Sequence, residues 1–248
     1  MNAAEFKEAI EVFVRGFAFM RCLTHPYLVA LADGLWVLRD APRKSSADYR
    51  VEEWVSYNIP AAEVDRKARV QSRGRFAVSV FRQPTDCGAT IREAYKNLGY
   101  RLIAAEPLFI HRMRRIPRIV PPVTITRVDN RELADQLAQT WRQRPLADEF
   151  LQPQSPLRQY VAQEGGDIVG AVRSIAIGTG GWVGDLYVMK LHRRRGIGRA
   201  LLVQLLRDER ARGVQRSVLL ASREGALLYP TMGYQLAGEL LLFTPPRP

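Results

Sequence analysis

Hydrophobic and polar positions follow two periods along this chain, one typical of helices and one typical of strands. In Ala3–Met20 the apolar residues recur every three or four positions, which predicts an amphipathic helix. Tyr27–Ala32 and Leu35–Arg39 predict two strands, and Asp33-Gly34 between them predicts a hairpin turn. The N-terminal part of the chain is therefore expected to mix helices with strands.

The same alternation continues to the C-terminus. Further helices are predicted at Ala61–Val70, Ala89–Leu98, Arg131–Arg142 and Arg199–Arg212. Further strands are predicted at Arg75–Arg82, Tyr100–His111, Val123–Val128, Arg158–Gln163, Ile168–Ile177, Trp182–Val188 and Ser217–Ala221. The polar, proline-containing segment Ala41–Arg50 is expected to be a loop. This order predicts an α+β protein built on a mixed sheet.

An internal repeat divides the chain into two halves. Tyr95–Leu102 (YKNLGYRL) returns 134 residues later as Tyr229–Leu236 (YPTMGYQL), with four of eight positions identical. Between the halves, Arg112–Pro122 (RMRRIPRIVPP) is basic and contains three prolines, which favours a semi-extended linker. We therefore expect two duplicated domains, at residues 1–115 and 123–248, joined by a linker at 116–122.

A strand, a basic loop and a helix follow one another in Trp182–Leu206. The loop is Arg193-Arg194-Arg195-Gly196-Ile197-Gly198, and its two glycines allow a sharp bend and the close approach of a ligand to the backbone. The helix that follows directs free N–H groups and its positive dipole end into the same space. The pattern indicates an anion site, in particular one for pyrophosphate. The alternative is a solvated basic edge without a ligand.

This loop resembles the acetyl-CoA loop of the GCN5-related N-acetyltransferase (GNAT) superfamily, whose pattern is Q/R-x-x-G-x-G/A. Leu228–Tyr234 (LYPTMGY) resembles a second signature of that family near its C-terminus. The resemblance implies the acyl-CoA N-acyltransferase fold, an α/β/α layered mixed sheet, in two GNAT-like halves. It also implies acetyl-CoA as the cofactor, with its pyrophosphate held by backbone amides of the loop.

The resemblance further implies the residues of the site. Cofactor contacts are expected from Val188, Arg193, Arg194, Arg195, Gly196, Ile197, Gly198, Arg199 and Ser222. Tyr229 matches the tyrosine that protonates the departing thiolate, and Asp185 is a candidate general base. The sequence departs from the family at Ser222, where Asn is frequent, and at Tyr234, where Phe is usual.

Other roles remain open for these residues. Tyr229 would also suit the core, and Asp185 would also suit an ion pair with a nearby arginine. Asp148 and Glu149 are further candidates for the base, and ordered water would make a dedicated base unnecessary.

The first half offers no equivalent of the basic loop. No glycine occurs between Gly34 and Gly74, and the strand Leu35–Arg39 runs into Ala41-Pro42-Arg43-Lys44, which we take as the equivalent segment. Proline has no N–H, so no backbone cradle for phosphate is expected there. The first half is therefore expected to be a degenerate copy without a cofactor.

Charge and cysteine content add a broader picture. The chain of 248 residues carries 37 basic and 25 acidic residues, a net charge of +12 that attracts anionic partners of many kinds. Two cysteines, Cys22 and Cys87, show no pairing pattern, which favours a reducing compartment. Charged residues interrupt the apolar N-terminus, which excludes a signal peptide there. A cytoplasmic protein without a membrane partner or a metal site is expected, and the oligomeric state stays open.

The function expected from the resemblance is transfer of an acetyl group from acetyl-CoA to a primary amine. The acceptor stays open between a small molecule, a peptide and an aminoacyl-tRNA. Two alternatives belong to other classes. One is a non-catalytic acyl-CoA-binding sensor or scaffold, and the other is a basic RNA-associated module that uses its arginines on phosphates.

Overall fold

The computed structural model describes residues 1–45, 48–222 and 225–246. The helices are α1 (Ala3–Cys22), α2 (Ala61–Gln71), α3 (Gly88–Asn97), α4 (Arg131–Trp141) and α5 (Ile197–Ala211). The strands are β1 (Tyr27–Ala32), β2 (Leu35–Asp40), β3 (Glu52–Tyr57), β4 (Phe76–Arg82), β5 (Arg101–His111), β6 (Thr124–Arg127), β7 (Leu157–Glu164), β8 (Asp167–Ile177), β9 (Gly180–Val188), β10 (Arg216–Leu220) and β11 (Gln235–Thr244). The α+β prediction is confirmed.

Strand β3 was not predicted, because its sequence EEWVSY begins with two acidic residues. Glu52 is nevertheless buried, and arginines neutralise it: Arg73 Nε lies 3.1 Å from one carboxylate oxygen and Arg39 lies 3.5 Å from the other. Trp54 is fully buried, and its Nε1–H donates to Ser72 Oγ at 2.9 Å. The strand could not be predicted from its own residues because the arginines that neutralise Glu52 are distant in sequence.

The chain forms two compact units whose segments alternate along the sequence. Unit 1 comprises Met1–Phe109, Leu220–Ala226 and Leu236–Pro248, and unit 2 comprises Ile110–Leu219 and Leu227–Gln235. The predicted boundary placed the whole of 123–248 in one domain, whereas the structure places most of β11 in unit 1. Segment 116–122, predicted as the linker, belongs to unit 2.

The reason for this difference is the partner of β11. Strand β11 pairs antiparallel with β4, with Glu239 opposite Arg82 and Phe243 opposite Val78. Phe243 is buried and stacks on Tyr95, with ring centroids 4.4 Å apart. The apolar face of β11 thus completes the core of unit 1.

In unit 1 the strand order is β1-β2-β3-β4-β11-β5. The first three strands are antiparallel, and β3 and β4 are parallel, connected through α2. The hairpin predicted between β1 and β2 is present. Its turn residues Asp33 and Gly34 have φ angles of 50° and 79°. Helix α1 begins at an Asn2 cap, whose side chain accepts from the backbone N–H of Glu5 at 2.8 Å.

In unit 2 the strand order is β10-β9-β8-β7-β6. Strands β6 to β9 are antiparallel, and β9 and β10 are parallel, connected through α5. Helix α5 buries an apolar face that contains Leu201, Leu202, Leu205 and Leu206. Both units therefore contain a parallel strand–helix–strand element preceded by antiparallel strands.

The repeated tyrosine motif has the same local geometry in both places. The N–H of Tyr100 donates to Tyr95 O at 3.0 Å, and the N–H of Tyr234 donates to Tyr229 O at 3.2 Å. Each motif contains a left-handed glycine, Gly99 with φ 83° and Gly233 with φ 90°. The two tyrosines of each motif pack edge to face, with ring centroids 5.3 Å apart in the first and 5.6 Å in the second. The sequence repeat is thus also a structural repeat.

Candidate acetyl-CoA site

Strand β9 is irregular at its C-terminal end. Its register against β8 shifts between the pairs Ala171–Tyr187 and Arg173–Gly184, which inserts one extra residue into β9. Asp185 lies at this bulge with φ 53°. On the other edge, the register with β10 runs only from Gly180 to Trp182 within the described residues. The last residues of β9 therefore extend beyond its pairing with β10.

The loop after β9 ends at the segment that is predicted to hold an anion. Arg194 and Gly196 adopt left-handed conformations, with φ of 62° and 82°, and α5 begins at Ile197. The first helical hydrogen bond runs from the N–H of Ala200 to Gly196 O at 3.0 Å. The N–H groups of residues 197–199 therefore have no acceptor within the helix. No acidic residue lies in the first turn of α5, so its positive dipole end is not neutralised there.

The three arginines of the loop have different surroundings. Arg195 forms a two-point ion pair with Glu164, at 2.5 and 2.9 Å, and His192 Nδ1 lies 3.0 Å from the same carboxylate. The hydrogen bond from Arg195 lowers the pKa of Glu164. Arg193 Nε donates to Val188 O at 3.1 Å, and its guanidinium lies over the Tyr187 ring. Arg195 is thus an ion-paired surface residue, which agrees with the alternative of a basic edge without a ligand.

Arg194 and Arg199 are exposed, and neither pairs with a carboxylate in the described part of the chain. These two cations at the N-terminal end of α5 are accessible to a ligand. Ile197 is 1% exposed, so this residue has only its backbone N–H to offer. The site is therefore formed mainly by backbone donors, with two exposed guanidinium groups beside them.

The two glycines are required for different reasons. Gly196 needs its left-handed φ, which strains any residue with a side chain. Gly198 has no such φ, and an added Cβ would lie 3.6 Å from Leu228 Cδ2 and 3.8 Å from Val188 Cγ2. These are ordinary packing distances, so the protein itself tolerates a small side chain at 198. A ligand close to the backbone would not.

Tyr229 follows the residue that packs against this loop. Leu228 lies beside Gly198, and Tyr229 begins a short 3-10 helix, Tyr229–Met232. The side chain is 7% exposed, and burial raises the pKa of Tyr229 to about 12. The phenol therefore keeps its proton at neutral pH. It packs against Tyr234, whose hydroxyl lies 2.8 Å from Ser217 Oγ on β10.

Asp185 and Ser222 have less specific surroundings. Asp185 Oδ2 lies 3.3 Å from Nε of Arg173, and the Asp185 side chain is 56% exposed. Burial lowers the pKa of Arg173, and Asp185 partly offsets this effect. Ser222 belongs to unit 1, where its exposed Oγ accepts from Gly225 N at 3.2 Å. Both assignments stay predictions.

Three residues of the site were not identified from the sequence. Glu164 is the last residue of β7, at the β7–β8 hairpin, and its carboxylate accepts a hydrogen bond from Arg195 of the loop. Arg173 lies on β8, opposite the bulge of β9. Leu228 was read as part of the second signature, but nothing in that signature indicates its contact with Gly198.

The segment Ala41–Lys44 is not the counterpart of the basic loop, contrary to our expectation. It follows β2, whereas the strand that leads into a parallel crossover in unit 1 is β3. The true counterpart of the basic loop is therefore Asn58-Ile59-Pro60, between β3 and α2. This segment also lacks glycine, and its proline caps α2.

Among the described residues, no α-helix is both long and apolar enough to cross a membrane. No group of three or more His, Cys, Asp or Glu residues there is arranged to hold a metal ion.

Comparison with known families and structures supports the assignment of the fold. The family described as "Acetyltransferase (GNAT) domain" matches residues 156–236, which include the basic loop and Tyr229. A search of curated proteins gave no significant match.

Solved structures match most of the chain at low sequence identity. A GCN5-related N-acetyltransferase from Kribbella flavida is 16% identical, with a TM-score of 0.62 and 94% of each chain covered. A conserved protein of unknown function from Staphylococcus epidermidis is 14% identical, with a TM-score of 0.61, 91% of this chain and 96% of that chain covered.

A third neighbour is a tandem GNAT protein from the clavulanic acid biosynthesis pathway. It is 13% identical, with a TM-score of 0.52, and the match covers 85% of this chain and 78% of that chain. The protein therefore has the fold of the GCN5-related N-acetyltransferase superfamily, and its residues 156–236 match the GNAT domain family, as its two sequence signatures had indicated.

Proposed function

We propose that unit 2 binds acetyl-CoA and transfers its acetyl group to a primary amine. The observation that carries this proposal is the junction of β9 and α5. There a strand that extends beyond the pairing with its neighbour leads into a left-handed glycine and three helical N–H groups without helical acceptors.

The residues present fit this cofactor. A pyrophosphate is doubly charged and accepts several hydrogen bonds, which matches the N–H groups of residues 197–199 and the exposed Arg194 and Arg199. A Cβ on Gly198 would meet Leu228 Cδ2 and Val188 Cγ2 at 3.6 and 3.8 Å, so a side chain larger than a methyl group would compete with a ligand for the space beside the backbone. Bound acetyl-CoA would supply an activated acetyl thioester.

The residues of the chain would then have separate roles. The backbone near Val188, where β9 extends beyond its pairing with β10, would orient the acyl group. Tyr229 would donate a hydrogen bond to the sulfur, because its phenol is protonated at neutral pH. A pKa of about 12 makes it a weak acid towards a thiolate, whose conjugate thiol has a pKa of about 8.5. Stabilisation of the leaving group by hydrogen bonding is therefore favoured over complete proton transfer.

Asp185 is a second-choice base in this scheme. Its carboxylate is exposed enough to meet an amine, but it is already paired with Arg173. Replacing Asp185 with Asn would remove the base and also remove the carboxylate beside the buried Arg173 guanidinium. Activity and stability must therefore be measured together for that variant.

The test is release of free thiol from acetyl-CoA in the presence of amines. The panel would contain polyamines, amino sugars, lysine peptides and aminoacyl-tRNA, and each reaction would be followed with a thiol reagent. Amine-dependent thiol release by the full chain supports the proposal. Acetyl-CoA binding without thiol release for any acceptor would favour the sensor or scaffold instead.

Unit 1 is proposed to be a duplicated copy that lost the cofactor loop. The structural repeat of Tyr95 and Tyr229, the parallel crossover in each unit and the tandem neighbour support a duplication. The glycine-free Asn58–Pro60 connection supports the loss of the site.

A further inference from the structure

Unit 2 contains a second cationic region at the other end of α5. A cavity of about 1150 Å³ is bordered by His111, Arg112, Arg114, Arg115, Arg118 and Arg210, together with the segment that follows Tyr229. Arg210 lies thirteen residues after Ile197, which is about 20 Å along a helix. The cavity is therefore separate from the acetyl-CoA loop.

The basic segment of this cavity is held in place by unit 2. The ring nitrogen Nδ1 of buried His111 accepts from the N–H of Met113 at 3.0 Å, and Met113 is itself buried. From α5, Arg210 Nη1 donates to Met113 O and Arg207 Nη2 donates to Pro117 O, both at 3.5 Å. The segment predicted as a linker is thus attached to a helix, and its arginines have a defined place.

Several arginines elsewhere in the chain are paired with carboxylates. Asp40 pairs with Arg43 and Arg50 in unit 1, and Glu164 pairs with Arg195 of the basic loop. In contrast, no Asp or Glu lines the cavity among the described residues.

Arg114, Arg115, Arg118 and Arg210 are exposed, and none of them forms an ion pair with a carboxylate in the described chain. Like charges separated by less than about 10 Å repel at moderate salt. A bound anion would remove this repulsion.

The exposure and composition of the lining indicate the kind of anion. A single small anion needs buried, converging donors, whereas these four arginines are exposed and each contact would be screened by salt. The lining contains no Phe, Tyr or Trp among the described residues on which a base could stack. Several weak contacts become substantial only when one ligand carries many phosphates. We propose that this cavity binds the phosphodiester backbone of a nucleic acid without reading its sequence.

This inference does not depend on the proposed acetyl transfer, since it uses none of the residues of the acetyl-CoA loop. Its test is fluorescence anisotropy of a labelled 20-nucleotide single-stranded RNA with the full chain. A DNA strand of the same sequence forms a second arm. Equal affinities would mean that the shared backbone is recognised, and a preference for RNA would mean that the 2′-hydroxyl contributes as well.

The decisive variant is Arg114→Gln/Arg115→Gln/Arg118→Gln. At 0.1 M salt its Kd should rise at least tenfold. The slope of log K against log salt should become shallower by about 2, since each lost contact to a single strand contributes about 0.7. Arg114→Lys/Arg115→Lys/Arg118→Lys keeps the charge and should retain most of the affinity.

A matched control removes the same charge elsewhere. Arg66, Arg75 and Arg101 are exposed residues of unit 1, and Arg66→Gln/Arg75→Gln/Arg101→Gln should change Kd by less than threefold. Melting temperatures of both triple variants would verify folding.

Four results would overturn the inference. They are an equal loss of affinity in the control, competition by saturating acetyl-CoA, no binding by the unmodified chain at 0.1 M salt, and binding of phosphatidylserine vesicles without binding of either nucleic acid.

Discussion

The connections β3–α2 and β9–α5 join the same kinds of elements, but their chemistry differs. In unit 2 the helix begins after left-handed Gly196, and no acidic residue lies in its first turn. In unit 1 the helix begins after Pro60, and Glu63 lies in the first turn. A proline has no N–H to offer, and a glutamate at this position occupies the positive end of the helix dipole. One architecture therefore accommodates an anion site in one unit and opposes it in the other.

Helix α2 satisfies its own N-terminus in further ways. The N–H groups of Glu63 and Val64 both donate to Pro60 O, at 3.0 and 3.1 Å. Glu63 also pairs with Lys67, 2.9 Å away. The N-termini of α2 and α5 thus differ in a few residues of one turn, although both helices connect a pair of parallel strands. A parallel crossover therefore does not indicate a cofactor site unless the first turn of its helix is open to a ligand.

The first expected effect comes from filling the space beside the backbone of α5. Acetyl-CoA at about one hundred times its Kd should stabilise the unmodified protein by about 2.7 kcal/mol, or roughly 5 to 11 °C in Tm. Gly198→Phe should abolish this shift, because the ring would occupy the space proposed for the phosphates. Gly198 is a cleaner test than Gly196, where backbone strain would contribute as well. Thermal denaturation with and without ligand provides the measurement.

Gly74→Phe is the matched control for this prediction. Gly74 lies in unit 1, has no left-handed φ, and no atom lies within 4 Å of the position of an added Cβ. Its ligand-induced shift should equal that of the unmodified chain. Failure of millimolar acetyl-CoA to shift the Tm of the unmodified protein would contradict the cofactor assignment.

The second effect compares Arg43 and Arg50 of unit 1, which are paired with a buried carboxylate, with the exposed Arg194 of the basic loop. Asp40 is buried and paired with Arg43 and Arg50. Asp40→Asn should lower the free energy of unfolding by about 3 kcal/mol, because it leaves two guanidinium groups without their carboxylate. Arg194→Gln, at an exposed unpaired cation, should change it by less than about 0.5 kcal/mol. Urea denaturation measures both, and equal losses would remove the distinction between the units.

The ion pairs of Asp40 also predict that the stability of the fold depends on pH. Burial alone would raise the pKa of Asp40, but hydrogen bonds from Arg50 and Arg43 outweigh burial and hold it well below its usual range. A carboxyl whose pKa is lower in the folded than in the unfolded state stabilises the fold above the unfolded value, about 3.9. This stabilisation is lost as the pH falls below about 4. The acid limb of the stability curve should therefore be shallower in Asp40→Asn than in the unmodified protein.

The third effect tests the two equivalent tyrosines. Tyr229→Phe removes the hydroxyl but keeps the ring, so kcat should fall at least tenfold while acetyl-CoA affinity is nearly unchanged. Tyr95→Phe should leave kcat unchanged, because its unit lacks the cofactor loop. Steady-state kinetics and calorimetric affinities of both variants check this. Equal kcat values for Tyr229→Phe and the unmodified enzyme, where chemistry limits turnover, would exclude a role for the phenol.

Most helices and strands could be predicted because their periodicity is local. Ala3–Cys22 and Leu35–Asp40 extend the predicted ranges by only one or two residues, and Tyr27–Ala32 has the predicted bounds. Strand β3 could not be predicted, since its glutamates are neutralised by Arg39 and Arg73 from other elements. Without β3, the counterpart of the basic loop was assigned one strand too early.

The candidate acetyl-CoA site could be predicted only where its residues are consecutive in the sequence. The loop Arg193–Gly198 and the tyrosine motif are local signatures, and the structure brings their neighbours Gly198 and Leu228 together. The ion pair of Arg195 with Glu164 connects positions 31 residues apart, which no local pattern indicates. The strand partner of β11 is equally non-local, because an apolar alternating sequence is compatible with many neighbours.

The smallest expected effect is the absence of a second binding event. Two halves of common origin would suggest two cofactor sites per chain, yet we expect one, because Asn58-Ile59-Pro60 offers neither a glycine nor an N–H at the position that caps the helix. Calorimetric titration with acetyl-CoA or CoA should therefore saturate near one ligand per chain.

The intact chain is the right material, since β11 completes unit 1 and a fragment that starts near Pro121 would carry this strand without its β4 partner. In the Gly198→Phe variant the binding heat should disappear altogether. A stoichiometry near two, or residual binding in that variant, would place a second site in unit 1 and would show that a helix capped by proline can still hold the cofactor.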